Sequence, residues 1–187
     1  MSYRFSMTGA SLLVSEFVHL AGQFVAVDYN LGKLSSGDLD RDRAGTRRRE
    51  FGELKLRLST LSKDEINYLN SASLENQRMV AFISCVRLYR ILQEFIDEVV
   101  LYKIQAFDYQ LDSMDFNSFL YNKSIDHEEI VSLSVATKKK VQQVIFKLFE
   151  QAGLIDNVRT KRLQVPFLDY GIKTIIPESE HKYLLNI

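Results

Sequence analysis

Ser134 to Gly153 reads SVATKKKVQQVIFKLFEQAG. Val141, Val144, Ile145, Leu148, Phe149 and Ala152 recur at intervals of three, one, three, one and three, which is one face of an amphipathic helix. The helix begins near Ser134 or Thr137 and stops at Gly153, the residue type that best tolerates a left-handed exit. Downstream the period changes. Leu163-Gln164-Val165 and Ile172-Lys173-Thr174-Ile175-Ile176 read as short strands, punctuated by Pro166, Asp169 and Gly171. Upstream, 115–121 and 127–133 read as a short helix and a further helical turn. Short helix, long helix and two-stranded β-ribbon, in that order, is the arrangement of a winged helix-turn-helix. The expected fold is therefore mainly α: a helical bundle with a winged helix-turn-helix-like C-terminal part. The sequence divides into an N-terminal helical part at 1–110 and a winged part at 111–187, unless the two form one continuous compact unit.

Working toward the N-terminus, residues 77–107 hold no helix breaker, and their wide apolar stripe marks the centre of the core, as one long helix or two with a kink. Ser62-Lys63-Asp64-Glu65 has the S-x-x-E form of a capping box and opens a short helix over 63–69. Residues 44–59 form a helix with Phe51, Leu54, Leu58 and Leu61 on one stripe. Residues 28–42 are a polar loop. Residues 10–27 form a first helix, capped by Thr8 or Ser11, with Leu13, Phe17, Leu20 and Phe24 on one face. Glu16 and His19 near the middle of that segment speak against a membrane span, since a central carboxylate costs about 2.5–3.5 kcal/mol on insertion scales.

The bulk numbers agree. Among 187 residues there are only 8 Gly and 2 Pro, while 46% are apolar and 26% charged, which excludes a disordered or collagenous chain and disfavours an all-β one. The single cysteine, Cys85, lies in an apolar run. It excludes an internal disulfide and a cysteine-based zinc site, and reads as a buried thiol in a cytoplasmic protein.

A formal net charge of zero hides strong segregation. Residues 41–57 carry Arg41, Arg43, Arg47, Arg48, Arg49, Lys55 and Arg57 against three acids, net +4. Residues 137–162 carry Lys138, Lys139, Lys140, Lys147, Arg159, Lys161 and Arg162 against two, net +5. Between them, residues 94–129 hold nine acids against two lysines, net −7. Clustered cations suit a phosphate backbone, because affinity comes from releasing condensed counterions. Three lysines in a first helical turn oppose the helix dipole, and an unfavourable choice points to a use. A solvated face is the plain alternative for each cluster. On the binding reading, Lys138, Lys139, Lys140 and Gln143 face DNA, with Thr137 as an uncharged phosphate donor. Arg159, Lys161 and Arg162 reach the flanking backbone from the wing, and Arg47, Arg48, Lys55 and Arg57 hold phosphates on the other lobe.

Catalytic signatures are missing. There is no G-x-x-x-x-G-K-[ST] loop, no G-x-G-x-x-G after a strand and no G-x-S-x-G elbow. His19, His127 and His181 stand alone, and His127-Glu128-Glu129 points to different faces of a helical turn. The expectation is a non-enzyme without metal or cofactor.

Three stretches carry a family resemblance: Met7-Thr8-Gly9-Ala10-Ser11-Leu12-Leu13; Arg47-Arg48-Arg49-Glu50-Phe51 through the basic helix to Ser62; and Ser134-Val135-Ala136-Thr137-Lys138-Lys139-Lys140 continuing to Ala152-Gly153-Leu154-Ile155. Their order and spacing resemble the BrxA family, small proteins of BREX bacteriophage-exclusion systems. The resemblance implies a helical cytoplasmic protein that works with a methyltransferase, an ATPase and other BREX components. It implies a double-stranded DNA binder through helix-turn-helix elements. A fold likeness to the RNA-binding antitermination factor NusB leaves an RNA binder as the alternative, and a protein scaffold is a third reading. The family blocks define no catalytic residues.

Overall fold

A computed structural model describes residues 2–39 and 43–185. Arg41 and Asp42, counted in the first basic cluster, lie outside the described residues. A 3-10 turn at Ser6–Gly9 leads to α1 (Val14–Ala26), and two further 3-10 turns, at Leu31–Lys33 and Ser36–Asp38, occupy the expected loop. Then come α2 (Ala44–Leu58), α3 (Lys63–Ser71), α4 (Leu74–Leu88), α5 (Arg90–Phe95), α6 (Leu101–Gln105), α7 (Ser113–Ser124), α8 (Glu128–Val131), α9 (Val135–Gln151) and α10 (Tyr170–Ile175), with a closing 3-10 segment at Glu178–Leu184. No helix among the described residues is long and apolar enough to cross a membrane.

The starts and stops of these helices come from local chemistry. Ser62 Oγ accepts the Glu65 amide at 3.2 Å while the Glu65 carboxylate accepts the Ser62 amide at 2.7 Å, the reciprocal box expected for α3. Asp112 and Asp115 form a second box at the start of α7. Ser134 caps α9 by accepting the Thr137 amide at 3.1 Å, and Gly153 leaves the helix at φ +76°. The long apolar run over 77–107 is broken at Tyr89 (φ −116°, ψ 95°) and carries a π turn at Ile96–Val100, so the kinked alternative holds.

The ring of Phe95 joins the middle of the chain to its C-terminal half. It packs 5.2 Å from Phe116, 5.4 Å from Phe119, 6.3 Å from Phe146 and 6.1 Å from Phe149, centroid to centroid. One apolar core runs from Tyr3 to Leu185, drawing side chains from both sides of residues 108–114. Cys85 is fully buried in it, and burial pushes its thiol pKa up.

Two expectations need correction. The first helix does not begin at Ala10. The carbonyls of Ala10, Ser11 and Leu12 accept from the Arg57 guanidinium, Leu13 is left-handed at φ 52°, and α1 starts at Val14 without a side-chain cap. The stripe itself stands, with Phe17, Leu20 and Phe24 buried. The second correction is the ribbon. Ile172-Lys173-Thr174-Ile175 is helix α10, not a strand. Asp169 accepts the Gly171 amide at 2.9 Å and the Tyr68 hydroxyl at 2.8 Å, which opens a helix beside α3. Ile172 and Ile176, one turn apart, are buried. This packing outweighs the β preference of the branched residues. Leu163 instead bridges Ile155, and Arg162 bridges Gln110, with the Gln164 amide donating to the Leu154 carbonyl at 2.9 Å and the Leu163 amide to the Tyr109 carbonyl at 2.8 Å. The ribbon expected between 163–165 and 172–176 is therefore not present, and the antiparallel pairing that the described residues do show joins 162–164 to 154–156 and 109–111 through isolated bridges.

Candidate nucleic-acid interface

Helix α9 is set by its apolar face. Val141, Ile145, Leu148 and Phe149 are fully buried, and Lys139, Lys140 and Lys147, on the remaining sides of the helix, are exposed. Gln142 pins its first half to α7, donating to the Ser113 carbonyl at 3.0 Å and to Asn117 Oδ1 at 2.9 Å. Lys139, Lys140, Gln143 and Lys147 then line one side of a cleft of about 780 Å³.

The opposite side comes from the other end of the sequence. Thr8, Gly9, Ala10 and Ser11 form a wall, and Arg49 of α2 borders it. The Arg49 stem lies across Gly9: a β-carbon there would meet Arg49 Cδ at 3.0 Å, so the absence of a side chain sets this approach. Glu50 is the acid among the lining residues.

The loop after α9 closes the end. Asp156 and Asn157 bind the backbone of the turn, with Asp156 Oδ1 accepting the Arg162 amide at 2.8 Å and Asn157 Oδ1 accepting those of Arg159 and Thr160 at 2.9 and 3.1 Å. The Thr160 hydroxyl, ahead of the backbone amides, holds the Asp156 carboxyl below its usual range. Lys161, left-handed at φ 55°, lines the cleft with its ammonium 5.4 Å from the centre of the Phe146 ring. Glu150 ties this loop to α9 by accepting the Val158 amide at 3.1 Å and pairing with Lys147.

Five cations from three separate stretches thus share one concavity: Arg49, Lys139, Lys140, Lys147 and Lys161. Of the residues singled out from sequence, Lys139, Lys140, Gln143 and Lys161 line it. Lys138 lines an adjoining groove with Tyr121 and Ser124 of α7. The Thr137 hydroxyl lies 2.9 Å from that of Ser134, within the cap. Arg159 and Arg162 are exposed on the loop beyond the cleft. Arg47, Arg48 and Lys55 are not among its lining residues, and the Lys55 ammonium lies over the Phe51 ring.

Arg57 requires a correction. Read as a phosphate contact, it is 0% exposed. It donates to the carbonyls of Ser11 at 2.8 Å, Leu12 at 3.2 Å and Ala10 at 3.4 Å, with Glu53 Oε1 3.6 Å from its Nε. No phosphate reaches it. Its stripe position on α2 puts it inward, whereas a charge count treats every cation as surface. Sequence reasoning also passed over the wall at 8–11. The signal was Gly9 within the Met7–Leu13 block, beside an arginine-rich helix.

Part of the acidic middle is paired within the fold. Glu94 pairs with Arg90 and Lys123, Asp97 with Lys182, and Asp108 and Asp115 with Lys103. No group of three His, Cys, Asp or Glu side chains arranged to hold a metal ion occurs among the described residues.

The chain is similar in sequence or fold to several known proteins. A BREX protein BrxA of Escherichia coli O9:H4 (strain HS) is 24% identical over 178 residues, covering 95% of this chain and 80% of its own length. A BREX protein BrxA of Bacillus cereus (strain H3081.97) is 26% identical over 129 residues, covering 68% of this chain and 64% of its own length. The crystal structure of an uncharacterized protein from Magnetospirillum magneticum superposes with a TM-score of 0.79 at 17% identity, over 99% of this chain and 97% of that one, which is a likeness of fold. The model of the BrxA family matches residues 1–180. With the match spanning nearly the whole chain, including both walls of the cleft, this protein belongs to the BrxA family.

Proposed function

We infer that this protein is a non-catalytic component of a bacterial BREX anti-phage system, acting in the cytoplasm by binding double-stranded DNA through the cleft between α9 and the 8–11 wall. The observation that carries this reading is the convergence of Arg49, Lys139, Lys140, Lys147 and Lys161 on one concavity from distant parts of the chain. A solvated charge run needs no such meeting. The name BREX protein BrxA, which both relatives carry, supports the defence role and makes other BREX proteins the expected partners.

A cleft of this size suits a single backbone strand of a duplex rather than its full width, while Lys138, Arg159 and Arg162 extend the positive surface beyond it. Lysine acts as a point charge and Gln143 is the lone amide side chain of α9 exposed beside the cleft, so recognition is of phosphates with low sequence preference. The test is duplex binding across a salt series. About six phosphate contacts give a slope of log affinity against log salt near −5. A duplex competed off by structured RNA of equal length at much lower concentration would shift the assignment to RNA. No binding at low salt would remove the nucleic-acid reading and leave the scaffold.

A further inference from the structure

The wall at 8–11 is built at some expense. A buried arginine-glutamate pair is costly to desolvate, and an apolar replacement of similar volume is often neutral or better. Leu13 adds a left-handed backbone conformation that side-chain-bearing residues rarely adopt. Both serve one outcome: the segment Ala10–Leu12 is drawn out of α1 and its three carbonyls are turned onto Arg57.

The planar trans peptide sets the direction of the amides in this segment. Each N–H points opposite to the carbonyl of the residue before it. With the carbonyls of Ala10 and Ser11 on Arg57, the amides of Ser11 and Leu12 point away from it. The Leu12 amide bears this out, because it meets Gln151 Oε1 of α9 at 2.9 Å. The Ser11 amide and the Ser11 hydroxyl have no partner among the described residues. Ser11 lines the same cleft as Arg49 and Lys147, whose ammonium a phosphate would share with Glu150, and it also borders a second groove with Arg78, Glu16 and Glu150.

We propose that Ser11 is a phosphate seat: its amide N–H and hydroxyl receive an oxygen of a nucleic-acid backbone phosphate whose charge is met by Arg49 and Lys147, and Arg57 is the positioning residue that aims the amide. This rests on the nucleic-acid reading of the cleft. It makes the wall a participant, whereas the charge argument alone needs only the cations. A fixed amide costs no side-chain ordering on binding, which is the advantage of a backbone donor over a lysine.

The experiment is duplex binding at low salt by the wild type, Ser11→Asp, the remote charge control Asn122→Asp in α7, and the double variant Lys139→Ala/Lys140→Ala, each checked for unchanged thermal unfolding. Placing a carboxylate at the seat should weaken binding at least about tenfold, against less than about threefold for the control. A second readout avoids substitution: in the wild type, the Ser11 amide proton should move downfield on adding a short duplex and stay in place with millimolar inorganic phosphate. Equal effects of the two aspartates together with a still Ser11 amide would overturn the seat. If the double lysine variant still lost affinity in that case, the cleft reading would survive without it. A wild type that binds no duplex overturns both. Movement with inorganic phosphate but not with duplex would also overturn the proposal, in favour of a small free anion.

Discussion

The guanidinium of Arg57, fully buried, donates to the carbonyl of Ser11 at 2.8 Å and so ties the second helix to a wall of the cleft 46 residues earlier in the chain. A cation that charge alone assigns to the binding surface instead shapes it from beneath.

Arg57→Met should therefore act on stability as well as on binding. It leaves Glu53 and three carbonyls without their donor. Breaking a buried pair in this way costs about 3–5 kcal/mol, which for a chain of this length lowers Tm by roughly 10 °C. Adding Glu53→Met should recover part of the loss. A thermal melt within a degree or two of wild type for Arg57→Met would show that the guanidinium is not holding the segment.

The cleft separates cations that composition treats alike. Lys139→Ala/Lys140→Ala should make the salt slope of duplex binding shallower by about 2. Arg48→Ala/Lys55→Ala, which removes the same charge from α2 residues outside the cleft lining, should change it by less than about 1. Salt titration of both double variants decides, and equal effects would indicate a diffuse surface rather than a cleft.

Glu65 links two layers of the fold and sets an acid limb. Burial works against its ionised form, yet the Arg87 guanidinium, at 2.6 Å, and the Ser62 amide outweigh burial and hold its pKa below the usual carboxylate value. A lowered folded pKa contributes stability that is present above the unfolded value of 4.5 and is lost as pH falls below it. Glu65→Gln keeps a side chain competent for the capping box and removes the charge. It should cost about 1–3 kcal/mol near neutral pH, and the difference should shrink below about pH 4. Denaturant unfolding at pH 7 and pH 3 measures both ends.

Tyr68 sets an alkaline limb. Burial and its hydrogen bond to the Asp169 carboxylate push its pKa from 10.0 up to about 12. A raised pKa contributes stability that is complete below pH 10 and lost as pH rises toward 12. Tyr68→Phe should lose about 1 kcal/mol at neutral pH through the broken hydrogen bonds to Asp169 and Asn76. Its stability should then fall less steeply than that of wild type between pH 10 and 12. Parallel alkaline limbs in the two proteins would count against the assignment.

Much of the helical content was legible because it is local. The bounds of α2 and α9 came from stripes, caps and Gly153, each settled within a few residues of chain. The Ser62–Glu65 box was readable for the same reason. Failures came where a distant partner outvoted local pattern. Ile172–Ile176 has the composition of a strand, but Tyr68, about a hundred residues away, meets Asp169 at the head of a helix whose isoleucines pack inward. Ala10–Leu13 has the period of α1, but Arg57 takes its carbonyls.

The candidate site divides in the same way. Charge density along the chain, which needs no coordinates, marked residues 41–57 and 137–162 as the basic segments, and the run of lysines at the start of α9 comes from one short stretch and its helical period. Which of those cations act together is a matter of distance in space. Tertiary packing brought Arg49 beside Lys139, Lys140, Lys147 and Lys161, turned Arg57 inward, and set Gly9–Ser11 as the facing wall. Helical period fixes which way a side chain points from its own axis, whereas the meeting of two helices and a loop depends on aromatic packing around Phe95 and on hydrogen bonds between residues far apart in the chain.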